Sequence, residues 1–183
     1  MKIFFVLILS FLKCSCSLLA ADWEVYVAKY KHDKECAISY TFDDGLVEHY
    51  TVVFPELEKR GFNGTFWICG YYTEQGMSAK VPRMTWSQLK KMSDKGHEIS
   101  NHSWSHKKMS RLSLGQIKEE IEKNDSAIYA NIGTIPVTYC YPYNYKPDTI
   151  FQVASLNRVA TRVKQFSIGG WKSSPERLTI WLE

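Results

Sequence analysis

Between residues 37 and 163 the chain alternates short β-rich runs with stretches of helical periodicity, and that alternation restricts the fold more than any other feature. A strand followed by a helix that carries the chain back to its starting end builds a parallel sheet. Residues 37–42, 64–69, 98–101, 137–141 and 158–163 read as strands. Residues 49–60 set Val52, Val53 and Leu57 at helical spacing before Gly61, and Thr85 caps a helix through Lys95 that stops at Gly96. Ser113 caps the clearest helix. There Leu114, Ile117, Ile121 and Ile128 form an apolar face, Lys118, Glu119, Glu122 and Lys123 face water, and Gly133 and Pro136 end the run. Residues 147–157 read as a last helix with Pro147 in its first turn. Five such βα units give either a doubly wound α/β sheet or a (β/α) barrel, and periodicity does not choose between them. In both, functional side chains gather at the carboxyl ends of the strands.

A length of 183 residues, 45% of them hydrophobic, suits one core-bearing domain. Residues 1–20 read as a secretory signal, with Lys2 at the start, an apolar run over residues 3–12 and a small residue, Ala20, at the end. The apolar run is too short for a bilayer of roughly 30 Å, so stable membrane insertion is not expected once the signal is removed. The remaining domain, residues 21–183, is then expected to be secreted or to lie in the periplasm or cell envelope. Loss of Lys2 and Lys13 lowers the formal charge from +4 to +2, with 21 basic against 19 acidic residues. No basic run exceeds two residues, which argues against a nucleic-acid groove. Cys36, Cys69 and Cys140 remain, an odd and sparse set that makes no disulfide framework.

Two motifs fall just past strands. Thr41-Phe42-Asp43-Asp44-Gly45 places two carboxylates side by side, a pattern that alone also suits a solvated turn. In an extended segment neighbouring side chains point different ways, so one acid can bind a metal while the other reaches for water. His102-Ser103-Trp104-Ser105-His106 spaces two imidazoles by four, on one face if the segment makes a helical turn. His97-Glu98 lacks the second histidine four residues on that a zinc protease needs. Two histidines and one carboxylate make a facial metal site that leaves room for water.

Three blocks in order, Thr41 to Gly45, Leu57-Glu58-Lys59-Arg60-Gly61-Phe62-Asn63-Gly64-Thr65-Phe66 and Gly96-His97-Glu98-Ile99-Ser100-Asn101-His102-Ser103, resemble the polysaccharide deacetylase family, also called NodB-homology or carbohydrate esterase family 4. The resemblance runs from about Glu35 to Arg162. It implies a distorted (β/α) barrel and one divalent metal, most commonly Zn²⁺, held by Asp44, His102 and His106. It also implies that water activated by this metal attacks an acetyl carbonyl, with Asp43 as general base and the backbone N–H of Tyr143 holding the oxyanion. The substrate class would be an acetylated polysaccharide or oligosaccharide, of chitin, peptidoglycan or acetylxylan type. Ser103 would brace the histidine loop. The metal set needs no partner subunit, so a monomer is expected.

Two departures stand out. Where the family carries an arginine that orients the base, this chain has Cys140, within Tyr139-Cys140-Tyr141-Pro142-Tyr143. A thiol cannot make a guanidinium's paired contacts, so Asp43 needs another partner or is less well poised. No histidine follows His106, where the family supplies a late one as acid, and the expected last strand has not appeared by Glu183. A truncated barrel, or a chain biased toward O-acetyl groups, would follow. The second functional reading is a carbohydrate-binding pseudoenzyme that keeps the metal site. Trp67, Tyr71, Tyr72, Trp86, Trp104 and Tyr143 offer sugar-stacking rings, although most are expected in the core or at the rim.

Overall fold

The computed structural model describes residues 37–144 and 154–162. Five short strands, β1 (Thr41–Asp43), β2 (Thr65–Ile68), β3 (Glu98–Asn101), β4 (Thr138–Cys140) and β5 (Ala160–Arg162), form one parallel sheet in that order. Spatial order equals chain order, so the winding never reverses as it would in a doubly wound sheet. The sheet also curls. Neighbouring strands lie about 4.8 Å apart, so flat packing would put β1 and β5 roughly 19 Å from each other. Yet Arg162 of β5 hydrogen-bonds to Asp43 of β1. The described strands are therefore part of a distorted (β/α) barrel, the member of the pair that periodicity left open.

The two faces of the sheet differ in kind. Phe66, Ile68 and Ile99 point outward and pack with Phe54 and Leu57 of α1 (Phe54–Arg60), Leu89 and Met92 of α3 (Trp86–Asp94), and Ile128 and Ile132 of α4 (Leu114–Ile132). The inner face is polar. Glu98 accepts hydrogen bonds from Thr65 Oγ1 and Thr138 Oγ1, both at 2.7 Å, and Thr138 Oγ1 accepts from Trp67 Nε1 at 2.8 Å. A second apolar cluster, including Ile117, Ile121, Tyr139 and Tyr141, seats α4 against the region of β4.

The helix starts follow the expected chemistry. Thr85 and Ser113 cap α3 and α4 with reciprocal bonds from Gln88 and Gln116, and Gly133 closes α4 in the left-handed region. Other expectations shift. Strand β1 begins at Thr41 rather than Ala37. His49–Val53 is a π turn leading into α1, changing register just before Pro55, which has no N–H to give a carbonyl four residues back. Val52 and Leu114 are exposed; Phe54 takes Val52's expected place in the core, and Glu120, Asn124 and Ile132 complete the buried stripe of α4. A short helix, α2 (Gly70–Gln75), follows β2 without having been expected. The helix expected over residues 147–157 lies largely outside the described residues, as does the proposed signal.

Candidate active site

Asp43 ends β1, and Asp44 turns the chain with φ 69°. A non-glycine residue in that region costs energy and persists only where its surroundings hold it. Here Arg83 Nη1 donates to the Asp44 carbonyl at 2.7 Å, and the next carbonyl, of Gly45, accepts from Met84 N at 2.8 Å. Ser103, His106 and Tyr143 are left-handed as well. Strain is thus concentrated around one cleft.

The histidine segment is a loop rather than the helical turn that a spacing of four suggests. Its form comes from many small bonds. Ser103 N donates to Asn101 Oδ1 at 2.7 Å, and His106 N donates to Ser103 Oγ at 3.1 Å. Glu120, buried on α4, accepts from Ser105 N at 2.8 Å and from Ser105 Oγ at 2.7 Å. Asn124 ties the base of the loop to β2: it donates to Ile68 O at 2.8 Å and Asn101 Oδ1 at 2.9 Å, and accepts from Gly70 N at 2.8 Å. The loop lies directly on Gly70, where an added Cβ would meet Trp104 Cζ3 at 2.4 Å.

These constraints bring Asp44, His102 and His106 together, with ligand atoms all within 4.8 Å of one another. Asp44 Oδ1 lies 3.5 Å from His102 Nε2 and 3.3 Å from His106 Nε2. His102 Nδ1 donates to the Cys140 carbonyl at 2.7 Å, which leaves the Nε2 lone pair facing Asp44 when the ring is neutral. Burial pushes the His102 pKa below its ordinary value and so favours that neutral ring, against the pull of Asp43. Asp44 Oδ1 is itself buried without a hydrogen-bond partner among the described residues. An imidazole lone pair and a carboxylate oxygen aimed at each other repel unless a cation lies between them, and imidazole plus carboxylate is a donor set that suits zinc.

Asp43 stands beside this trio, close to His102, and is held from β5. Arg162 Nη2 donates to both of its carboxylate oxygens, and also to Cys140 Sγ at 2.9 Å. Cys140 falls in a second grouping with Asp43 and His102 whose spacing would admit a metal. The guanidinium already supplies positive charge there, and burial raises the Cys140 pKa, which keeps it a neutral thiol. Tyr143 stands on the opposite rim, exposed, its ring 4.6 Å from that of His106.

Every site residue expected from the sequence, Asp43, Asp44, His102, His106 and Tyr143, lies at this cleft. Arg162 and Arg83 were missed. Nothing local marks Arg162, since it lies 119 residues from Asp43. His97 proves structural: Nδ1 accepts from Gly64 N at 3.1 Å, so Nε2 carries the proton toward Glu58 at 3.2 Å. Of the aromatic candidates, Trp67 is buried beneath Arg162, Trp86 packs against the core and Trp104 is covered by Lys123 at 4.3 Å. Tyr71 and Tyr143 remain exposed.

A chain-ordered parallel sheet with its acids and histidines at the carboxyl ends of the strands defines an α/β barrel protein with a candidate metal centre. The polysaccharide deacetylase family model matches residues 30–161, and the chain belongs to that family. Peptidoglycan-N-acetylmuramic acid deacetylase PdaA of Bacillus subtilis is 32% identical over 121 residues, covering 65% of this chain and 43% of that protein. Peptidoglycan-N-acetylglucosamine deacetylase PgdA of Listeria monocytogenes is 28% identical over 118 residues, 64% of this chain and 23% of its own. The chain thus spans less than half the length of these curated relatives. The Streptococcus pyogenes deacetylase PplD, solved with acetate, shares the fold with a TM-score of 0.63 at 22% identity, over 68% of this chain and 54% of that one.

Proposed function

We propose that this chain is a metal-dependent hydrolase that removes N- or O-acetyl groups from a polysaccharide or oligosaccharide of the peptidoglycan, chitin or acetylxylan kind. The observation that carries the reading is the unpartnered Asp44 Oδ1 facing His102 Nε2 and His106 Nε2. Those three residues would hold the metal, most commonly zinc, one per chain. Bound there, it would supply Lewis acidity, which polarises the acetyl carbonyl and acidifies water. Asp43, beside this set but outside it, takes the proton from the attacking water. The backbone N–H of Tyr143, at the rim above His106, donates to the oxygen that gains charge in the transition state, a contact of the kind worth about 3 kcal/mol. Membership of the family supports the substrate class. Residues 1–20 would direct the remaining domain out of the cytoplasm, to act as a monomer at or beyond the cell envelope.

The test combines two measurements on the purified full chain: elemental analysis for zinc, and acetate release from an N-acetylglucosamine oligomer and an acetylated xylo-oligosaccharide. Zinc at one per chain, lost in His102→Ala and His106→Ala, together with acetate release that depends on it, is the expected result. Zinc that persists in both variants overturns the ligand set. Stoichiometric zinc without acetate from either substrate would favour the pseudoenzyme reading.

A further inference from the structure

We infer that Arg162 of β5 is the positioning residue for Asp43, and that position 140 is a cysteine because a long side chain there would occupy the arginine's place. The inference rests on the deacetylase reading. Cys140 and Arg162 are direct partners in the β4–β5 register, and both side chains reach Asp43 inside the barrel. The guanidinium carbon lies 4.6 Å above the Trp67 ring, which fixes its plane, and the Arg162 side chain is only 17% exposed. Nε and Nη1 have no hydrogen-bond partner among the described residues, and Nη2 alone reaches Asp43 and Cys140.

A lone carboxylate rotates about its side-chain bonds, and Asp44, the next residue, adds a repelling charge. Arg162 removes that rotation and offsets the charge, so Asp43 presents a constant face to the cleft. The Cys140 thiol makes this possible by being small and neutral: it accepts one Arg162 bond at 2.9 Å and stands 3.9 Å from Asp43 Oδ2. The base-orienting arginine that the family places at the position of Cys140 has in this chain an equivalent one strand further on. Two arginines cannot share the space.

Acetate release by the full chain is compared for wild type, Arg162→Met, Arg162→Lys, Cys140→Arg and the double variant Cys140→Arg/Arg162→Met. Arg162→Met should lower kcat about 10- to 100-fold, the scale of a misplaced catalytic group, with KM nearly unchanged and zinc content intact. Arg162→Lys should recover only part, since an ammonium on a flexible stem lacks the planar group that rests on the Trp67 ring. Cys140→Arg alone should be slow, and the double variant should recover at least about tenfold over Arg162→Met. An Arg162→Met protein with unaltered kcat, or a double variant no faster than that single change, would overturn the inference and leave the function standing. No acetate from wild type overturns the function instead. Unfolding midpoints then still decide whether Arg162 holds Asp43: the drop caused by Arg162→Met, or by Arg162→Gln should the first not fold, should vanish in an Asp43→Asn background. An equal drop in both backgrounds would refute the contact.

Discussion

Two adjacent aspartates acquire different surroundings because a strand ends between them. Asp43 keeps strand geometry and faces Arg162 inside the barrel, whereas Asp44, at φ 69°, swings its carboxylate to the histidines. Asp43→Asn is therefore expected to keep its zinc while kcat falls about 10²- to 10⁴-fold, the usual contribution of a positioned base. Parallel elemental analysis and acetate-release assays check this, and loss of zinc with little loss of rate would exchange the two roles. A pH dependence also belongs to single residues. Burial lowers the pKa of both His49 and His102, so the folded state resists a proton that the unfolded chain accepts near pH 6.5. Their stabilising contribution is complete above that pH and is lost as pH falls through it. The urea midpoint of the zinc-free protein should fall between about pH 7.5 and 5.5, and His49→Gln should flatten that slope. That these acids and imidazoles would gather at one cleft was legible because such residues are conspicuous at strand ends. Arg162 was not: an arginine near a strand end far along the chain carries no local sign of its partner.

α4 does more than cover the sheet. Its apolar stripe could be read from the spacing of Ile117, Ile121 and Ile128, yet the stripe also holds Glu120 and Asn124, which periodicity alone assigns to no task. Asn124 satisfies Gly70 N, Ile68 O and Asn101 at once, so Asn124→Ala leaves several buried polar groups without partners. It should cost on the order of 2–3 kcal/mol, measured by urea unfolding, and should weaken zinc binding through the loop. Ser113→Ala, which removes only the cap at the exposed start of the same helix, should cost about 1 kcal/mol and leave zinc binding intact. The histidine spacing shows the same division. Four residues were enough to suggest shared ligation, but the loop conformation depends on Asn101, Ser103 and Glu120, whose convergence is tertiary.

At the scale of the whole molecule, the candidate metal site joins β1 to β3 and depends on α4 for its shape, so ligand binding should be coupled to global stability. At zinc one hundred times its Kd the linkage is about 2.7 kcal/mol, or roughly 5–10 °C in Tm for a domain of this size. Thermal scans with zinc and with chelator should show that difference, and His106→Ala should abolish it. The curl of the sheet was beyond the reach of periodicity, because a helical stretch between strands looks the same in an open sheet and in a barrel. Strand order resolves it, and that order has a further consequence during synthesis. Because each strand docks only beside the one made just before it, the growing chain can add its units as they leave the ribosome, without waiting for a distant segment to fill a gap. Asp43 and Arg162 are 119 residues apart, so at about 5–20 residues per second Asp43 emerges roughly 6–24 s before the guanidinium that will hold it. Asp44, His102 and His106, the residues proposed as metal ligands, are all made well within that interval, so a nascent chain would have its proposed donors before Arg162 can hold Asp43.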